Sequence, residues 1–381
     1  MKWPRQNNTV VSKSYHGGDM EAQHILQTTP PANRYARGWH CLGQASDYKD
    51  GKPHRLDLFG TRLVAFTGED GRIRILDAWC PHMGADLALG EVKGNAIVCR
   101  FHGWHWNGEG ACEHVPCAKR IPPKARTRAW TVCEQNHLLF IWHDPEGAPP
   151  PHAVAVPRIS ACFTGEWTGW TIRKMVIATN CRELVDNLAD VAHFGPVHGS
   201  PAVYFCNTFD RHIGYQMFRG EESELLGRGL VADSAYFGPA YHVTRMTAEV
   251  DGKPLDTILL NCHVPIDSQS FELRYGVMVK KVPGQSEEQN QEMAQAYVEQ
   301  AQASFFQDVE IWHNKIRVDR PVLSDADGPI YQLREWYRQF YTDVADLPAD
   351  LDRKKVFERR DGTWHTLDAV PPEAVSKLHQ I

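Results

Sequence analysis

Within the stretch bounded by Trp79 and Trp106, Cys80 and His82 stand two positions apart, and after sixteen residues Cys99 and His102 stand three apart. Each arm offers one thiolate and one imidazole, and this mixed pairing constrains the fold more than any other feature. Pro81 and Gly84 mark the first arm as a turn, and Gly103 marks the second. Between them, residues 91–98 (EVKGNAIV) read as a hairpin turning at Gly94-Asn95. Zinc sites with two cysteines and two histidines usually group like ligands, as C-x-x-C and H-x(3–5)-H, so the mixed arms argue against structural zinc. Four unligated core residues fit poorly too, because both histidines lie in Gly- and Pro-flanked loops.

Two thiolates and two neutral imidazoles are what a Rieske [2Fe–2S] centre takes, one pair on each iron. The imidazoles reduce the negative charge of the cluster and raise its potential above that of an all-cysteine centre. Cys80, His82, Cys99 and His102 are the candidate ligands. The other eight of the ten cysteines show no framework of paired spacings and no secretory signal precedes them, so a reducing cytoplasm is expected, with those thiols packing. Forty-one basic against 47 acidic residues give a net charge of −6, which points away from nucleic acid and anionic membranes. No apolar run reaches the length of a membrane span. At 381 residues the chain has room for two domains, and a cytoplasmic enzyme is the starting expectation.

Residues 1–31 are polar, with few large apolar side chains, and read as a loosely held arm. Short alternating segments follow at 61–67, 73–77, 96–100, 126–132 and 138–143, the texture of a small antiparallel β domain over residues 32–147. Five of the 24 prolines fall within 144–157, which reads as a stiff connection. Residues 148–381 then mix strands and helices. Strands are predicted at 169–178, 256–264 and 271–281, and helices at 180–191, 286–316 and 331–341. The fold class is α+β, a β-rich domain followed by a mixed catalytic domain.

The segment 180–198 (NCRELVDNLADVAHFGPVH) holds the second constellation. Asn187, Asp190 and His193 are spaced by three, so a helix aligns them on one side. His198 comes five after His193, and Gly195-Pro196 between them is expected to break the helix and swing His198 back. Two imidazoles are half a site, and iron oxygenases usually add one carboxylate. Tyr297, Ala301, Phe305, Asp308 and Trp312 recur at helical spacing, so Asp308 falls in a mainly apolar stripe where a carboxylate needs a partner. The partner is a metal or an ion pair, for example with Lys315 or Arg182. Asp190 can accept the second N–H of His193, or bind metal itself.

These motifs resemble the oxygenase (α) component of Rieske non-haem iron oxygenases: C-x-H-x(16)-C-x-x-H, then N-x-x-D-x-x-H-x(4)-H, then a distant Asp. NCRELVDNLADVAHF, YFGPAYH, LLNCHVPIDSQSFELRYGVMVKK, QDVEIWHNKIRVDRPVLSDADGPIYQLREWY and FYTDVADL are similar to the bacterial 3-ketosteroid 9α-hydroxylase branch of that family. The resemblance implies a [2Fe–2S] cluster on Cys80, His82, Cys99 and His102, and mononuclear Fe(II) on His193, His198 and Asp308. It gives Asp190, with Asn187 beside it, the place of the acid that links a cluster ligand of one subunit to an iron ligand of its neighbour. It also implies a helix-grip-like (START-type) catalytic domain and a head-to-tail homotrimer. Residues 199–207 and 216–234 depart from the family pattern and are expected to line the substrate pocket.

The function implied is O2-dependent hydroxylation of a steroid ring, at the 9α position of a 3-ketosteroid. With no G-x-G-x-x-G after a strand and no plant-type ferredoxin cysteine spacing, the chain needs a separate flavin and iron–sulfur reductase fed by NAD(P)H. Tyr204, Phe205, Tyr236, Phe237, Tyr241 and Trp312 are candidates for an apolar lining, or ordinary core aromatics. Rival readings are an oxygenase acting at another steroid position, an aromatic ring or an O-methyl group, a Rieske electron carrier, and a zinc-stabilised binding protein.

Overall fold

The computed structural model describes residues 34–221, 228–250 and 252–378; the arm expected at 1–31 lies outside the described residues. Three small antiparallel sheets form first. Leu138–His143, whose six residues are all buried, runs between Gly38–Gln44 and Val132–Gln135. His54–Leu58, Thr61–Thr67, Ile73–Asp77 and Ala129–Trp130 make the second sheet. Glu91–Lys93, Ala96–Val98, His105–Asn107 and Cys112–His114 make the third, with the expected hairpin at Gly94, whose φ of 60° suits glycine. Val64, Phe66, Leu76, Ile97 and Trp106 pack between the second and third sheets, behind the two ligand loops.

Beyond residues 144–157, nine antiparallel strands form one sheet. Its order is Thr171–Ile177, Phe271–Val279, Lys253–Pro265, Tyr241–Val250, Arg228–Phe237, Ile213–Gly220, Ala202–Asp210, Lys355–Arg360 and Thr363–Leu367. Four α-helices are found among the described residues: α1 (Arg182–Asp186), α2 (Phe194–His198), α3 (Glu287–His313) and α4 (Ile330–Arg338). The sheet grips α3 along Phe271–Val279: Val298, Val309 and Trp312 are buried against Phe271, Leu273 and Val277. Each such side chain contributes roughly 1.5–3 kcal/mol. Ser286 and Gln289 form a capping box that starts α3. The helix ends three residues before the predicted limit because Asn314 leaves helical angles, at φ −117° and ψ 15°.

The helix expected at 180–191 stops at Asp186, and turns occupy the residues that follow. The break therefore falls before His193, not between His193 and His198. Pro196 sits in the first turn of α2, where a missing N–H removes no helical bond, and Gly199 (φ 65°) ends that helix. The turns are held from below: Gln216 and Asn207 each donate a side-chain N–H to the Leu188 carbonyl, both at 2.8 Å. They are also held from behind, because the buried carboxylates of Glu183 and Asp186 take Lys315, Arg317 and Arg334 as partners. Burial pushes the Glu183 carboxyl up, but Lys315 and Arg317 outweigh it and hold the group below the usual glutamate range.

Three buried histidines and the half-buried His242 follow one another where the small sheets meet the large one. His40 and His143 both reach the Ala36 carbonyl, each at 3.2 Å. The His143 ring stacks on Phe59 at 4.5 Å. His263 is fully buried, with neither ring nitrogen hydrogen-bonded among the described residues. His242 stacks on Tyr236 at 4.4 Å, and Tyr236 lies 6.3 Å from His263. Burial alone or foremost pushes every one of them down, His40 to about 4, His143 and His242 to about 3. Packed around them, Trp39, Phe140 and Trp142 meet Tyr241, Val243 and Leu260 across the seam.

Candidate metal centres

Two loops rise from the edge of the third small sheet and close in the same way. The Gly84 amide donates to the Cys80 carbonyl and the Gly103 amide to the Cys99 carbonyl, both at 2.8 Å. The Cys80 amide donates to Ala85 and the Cys99 amide to Trp104, again both at 2.8 Å. Both glycines have positive φ, 76° and 68°, which an L side chain adopts poorly. The loops face each other: Cys80 and Cys99 are buried, while the His82 and His102 rings are exposed with centroids 4.6 Å apart. Trp104 stacks on His82 at 4.4 Å and fixes its plane.

This donor set fits a Rieske cluster. Burial, then the Cys99 sulfur close by, pushes the Cys80 thiol up, so a positive centre beside it is needed to favour its thiolate. The Trp106 indole N–H is buried with no partner among the described residues, beside Cys80, where a cluster sulfur could accept it. Around the exposed imidazoles Trp79, Met83, Leu89 and Phe101 are all solvent-exposed apolar side chains.

The second centre lies above the large sheet. His193, His198 and Asp308 each bring one ligand atom within 4.8 Å of the others, though they come from the start of α2, its end, and α3. The His193 Nδ1–H donates to the Asp190 carbonyl at 2.5 Å, and the His198 Nδ1–H donates to Gln307 Oε1 at 3.1 Å. Both bonds leave Nε2 with its lone pair, the tautomer a metal needs. His198 Nε2 is 3.4 Å from Asp308 Oδ2. Burial is the largest single influence and works against a charge on His198, but the bond to Asp308, its charge and the Gln307 bond together outweigh it and raise the pKa. Two imidazoles and one carboxylate facing an open cavity are the donor set of a mononuclear iron site. Lys315, offered above as an ion-pair partner for Asp308, pairs with Glu183 instead at 2.7 Å.

Asp190 has its carboxylate 3.7 Å from His193 Nδ1, while its backbone carbonyl makes the short bond. Burial raises the Asp190 carboxyl, but His193 outweighs it and holds it below the usual aspartate range. Asn187 lies three residues earlier along the same segment, and lines the cavity. Gln307 was not singled out from the sequence; being next to Asp308 was the one signal available.

The cavity, about 230 Å³, opens from the metal residues onto the sheet. Strand alternation sets its floor in rows across neighbouring strands: Ala232, Met246 and Thr257; then Ser234, Thr244 and Leu259; then Tyr236 and His242 with Asn261. Phe194, next to His193, stacks on Phe218 at 4.2 Å, and Phe218 pairs with Ala232 in the sheet. Of the six aromatics proposed as lining, only Tyr236 faces this space, and Phe194, Phe218, Tyr297 and Phe305 supply the rest. Phe237 and Tyr241 fall on the opposite strand phase and pack at the seam. Trp312 is in the core behind α3, Phe205 packs beneath Phe218, and Tyr204 bonds to Glu358. Residues 199–207 contribute nothing to the lining, whereas 216–234 does, with 222–227 of that stretch outside the described residues.

Comparison with known proteins finds matches for two stretches of the chain. Residues 38–127 match the Rieske [2Fe-2S] domain, and residues 141–341 match the 3-ketosteroid 9alpha-hydroxylase C-terminal domain. The chain is 45% identical over 358 residues to a 3-ketosteroid-9-alpha-monooxygenase, oxygenase component, of Rhodococcus rhodochrous, covering 91% of this chain and 92% of that protein. It is 27% identical over 353 residues to cholesterol 7-desaturase of Hemicentrotus pulcherrimus, covering 85% of this chain and 73% of that protein. In fold it is similar to dicamba monooxygenase bound to dicamba, with a TM-score of 0.67 and 19% identity over 81% of this chain and 98% of that one. Among the described residues no helix is long and apolar enough to cross a membrane.

Proposed function

Because the chain belongs to the family of 3-ketosteroid 9α-monooxygenase oxygenase components, which are Rieske non-haem iron monooxygenases, we propose that it hydroxylates the ring system of a 3-ketosteroid at the 9α carbon. The observation that carries this reading is the cluster of His193, His198 and Asp308 opening on a largely apolar cavity, in the same chain as two mixed Cys/His loops. An electron carrier needs no such cavity. The level of identity to the Rhodococcus protein favours a steroid over the ligands of more distant relatives.

In this reading Cys80, His82, Cys99 and His102 hold the two-iron cluster, and His193, His198 and Asp308 hold Fe(II). When bound, the cluster supplies single electrons and the mononuclear iron activates dioxygen. The chain's own residues do the rest. Asp190 and Gln307 fix the ring orientation and tautomer of the two histidines. Asp190, partly exposed at the surface beside His193, is suited to meet an imidazole from another subunit; Asn187 places a side-chain amide at the cavity roof. Leu184, Leu188, Phe218, Leu230 and Leu259 exclude water from the cavity walls.

The exposed apolar rim around His82 and His102 supports a head-to-tail homotrimer in which that rim is covered. The partners are then O2, the steroid and a separate NAD(P)H-dependent flavin and iron–sulfur reductase, in the cytoplasm. The domains run 1–31, 32–147 and 148–381. The test is turnover of 4-androstene-3,17-dione with a surrogate reductase and identification of the product by mass spectrometry and NMR. A 9α-hydroxysteroid is expected. Product oxidised at another ring carbon would move the assignment within the steroid class, and no oxygenated steroid at all would overturn it.

A further inference from the structure

We propose that His242 is a specificity-determining residue that hydrogen-bonds a terminal oxygen of the ligand, a ketone or a hydroxyl at one end of an elongated apolar skeleton. The inference deepens the steroid reading and rests on it. His242 lies in the cavity wall, and its Nε2 is buried with no hydrogen-bond partner among the described residues. A polar nitrogen enclosed in this way is disfavoured until something pairs with it. The surrounding protein does not: Tyr236 covers one face of the ring at 4.4 Å, and the Cys262 thiol donates to the His242 backbone carbonyl, not to the ring.

Position adds the second argument. His242 is paired with Tyr236 in the sheet, and Asn261 follows Leu259 on the same face of the next strand, so an imidazole and an amide share one end of the cavity floor. That end is four strand residues, about 14 Å, from the Ala232 row that Phe218 and Phe194 tie to the metal residues. Leu230, Met246 and Leu255 line the other direction. Between the two ends the polar side chains of the floor are already paired, Ser234 with Thr244 at 2.9 Å and Thr257 with the Met246 carbonyl at 3.3 Å, whereas His242 Nε2 at its end is not. Burial keeps the imidazole neutral near pH 7, so it offers one N–H to a ketone and one lone pair to a hydroxyl.

The test measures equilibrium binding to the metal-loaded enzyme of three ligands: 4-androstene-3,17-dione, its analogue lacking the C17 oxygen, and its analogue lacking the C3 oxygen. His242→Phe keeps the ring and removes both nitrogens, and His242→Met serves if the first variant does not fold; an intact Rieske spectrum verifies folding. The variant is expected to bind the dione about tenfold more weakly, the worth of one hydrogen bond. It is expected to bind one of the two analogues as the wild type does, and that analogue identifies which oxygen His242 holds. His242→Asn, with an amide donor and acceptor, should recover part of the loss. Equal loss for all three ligands, or none, overturns the role of His242 and leaves the steroid reading standing. Failure of the wild type to bind any of the three overturns both.

Discussion

Lowering the pH should unfold this protein through its buried histidines. His40, His143, His242 and His263 are neutral in the fold, titrating at about 4, about 3, about 3 and well below the usual value respectively. In the unfolded chain each returns to about 6.5. The folded values are depressed, so the unfolded state binds more protons; the stability these groups permit is complete above about 6.5 and is lost as the pH falls toward the folded values. Between about pH 5.5 and 4.5 the difference approaches four protons, and at about 1.4 kcal/mol per proton per pH unit the loss is about 5 kcal/mol. That is on the scale of the whole stability of a domain, about 5–15 kcal/mol. The assay is the urea midpoint followed from pH 7 to 4.5. Metal binding is itself pH-dependent, so the informative quantity is the difference between wild type and His143→Phe, in which one imidazole is replaced by a ring that stacks on Phe59. The variant should lose about a quarter of the pH slope. A midpoint that does not move with pH, or a slope untouched by the substitution, would refute the argument.

Asp308→Ala should drop the iron content from about three to about two per chain while the Rieske absorption stays intact, and normal hydroxylation by that variant would remove Asp308 from the site. Gln307→Leu frees the His198 ring and should weaken iron binding 10- to 100-fold, measured by chelator competition; unchanged affinity would show that the Gln307 bond is incidental. Asp190→Asn should retain both metals but slow single-turnover product formation, and an undiminished rate would exclude it as the link between centres. Gly328→Ala would put a methyl 1.7 Å from the Ala189 carbonyl, which must then move. Because Ala189 adjoins Asp190, that variant should lose mononuclear iron before it loses the cluster, read by metal analysis against absorbance.

What was legible in the sequence was chemistry with a strict donor requirement. Cys80, His82, Cys99 and His102 stand out together because few structures need alternating thiolate and imidazole, and Asp308 stands out because a carboxylate in an apolar helical stripe demands a partner. What was misread depended on phase and on distance. Tyr241 and His242 are adjacent, and which of them faces the cavity is decided by strand pairing with Tyr236, not by residue type. The helix through 180–191 breaks at Asp186 because Arg334 and Arg317 clamp that carboxylate and Gln216 and Asn207 capture Leu188, contacts from remote parts of the chain. Local propensity carries no trace of them. The reach of Gln307 to His198 is equally non-local, fixed only once α3 lies across the sheet.

Each iron–sulfur loop is tied off by the backbone of its own cysteine, through the amide and the carbonyl alike, and by a glycine that tolerates the necessary turn. Neither closure uses a sulfur or an imidazole. The candidate ligands are thus positioned by peptide bonding that does not run through the metal, which leaves cluster assembly little chain to organise. Iron and sulfide are then expected to leave and return with the surrounding strands still folded.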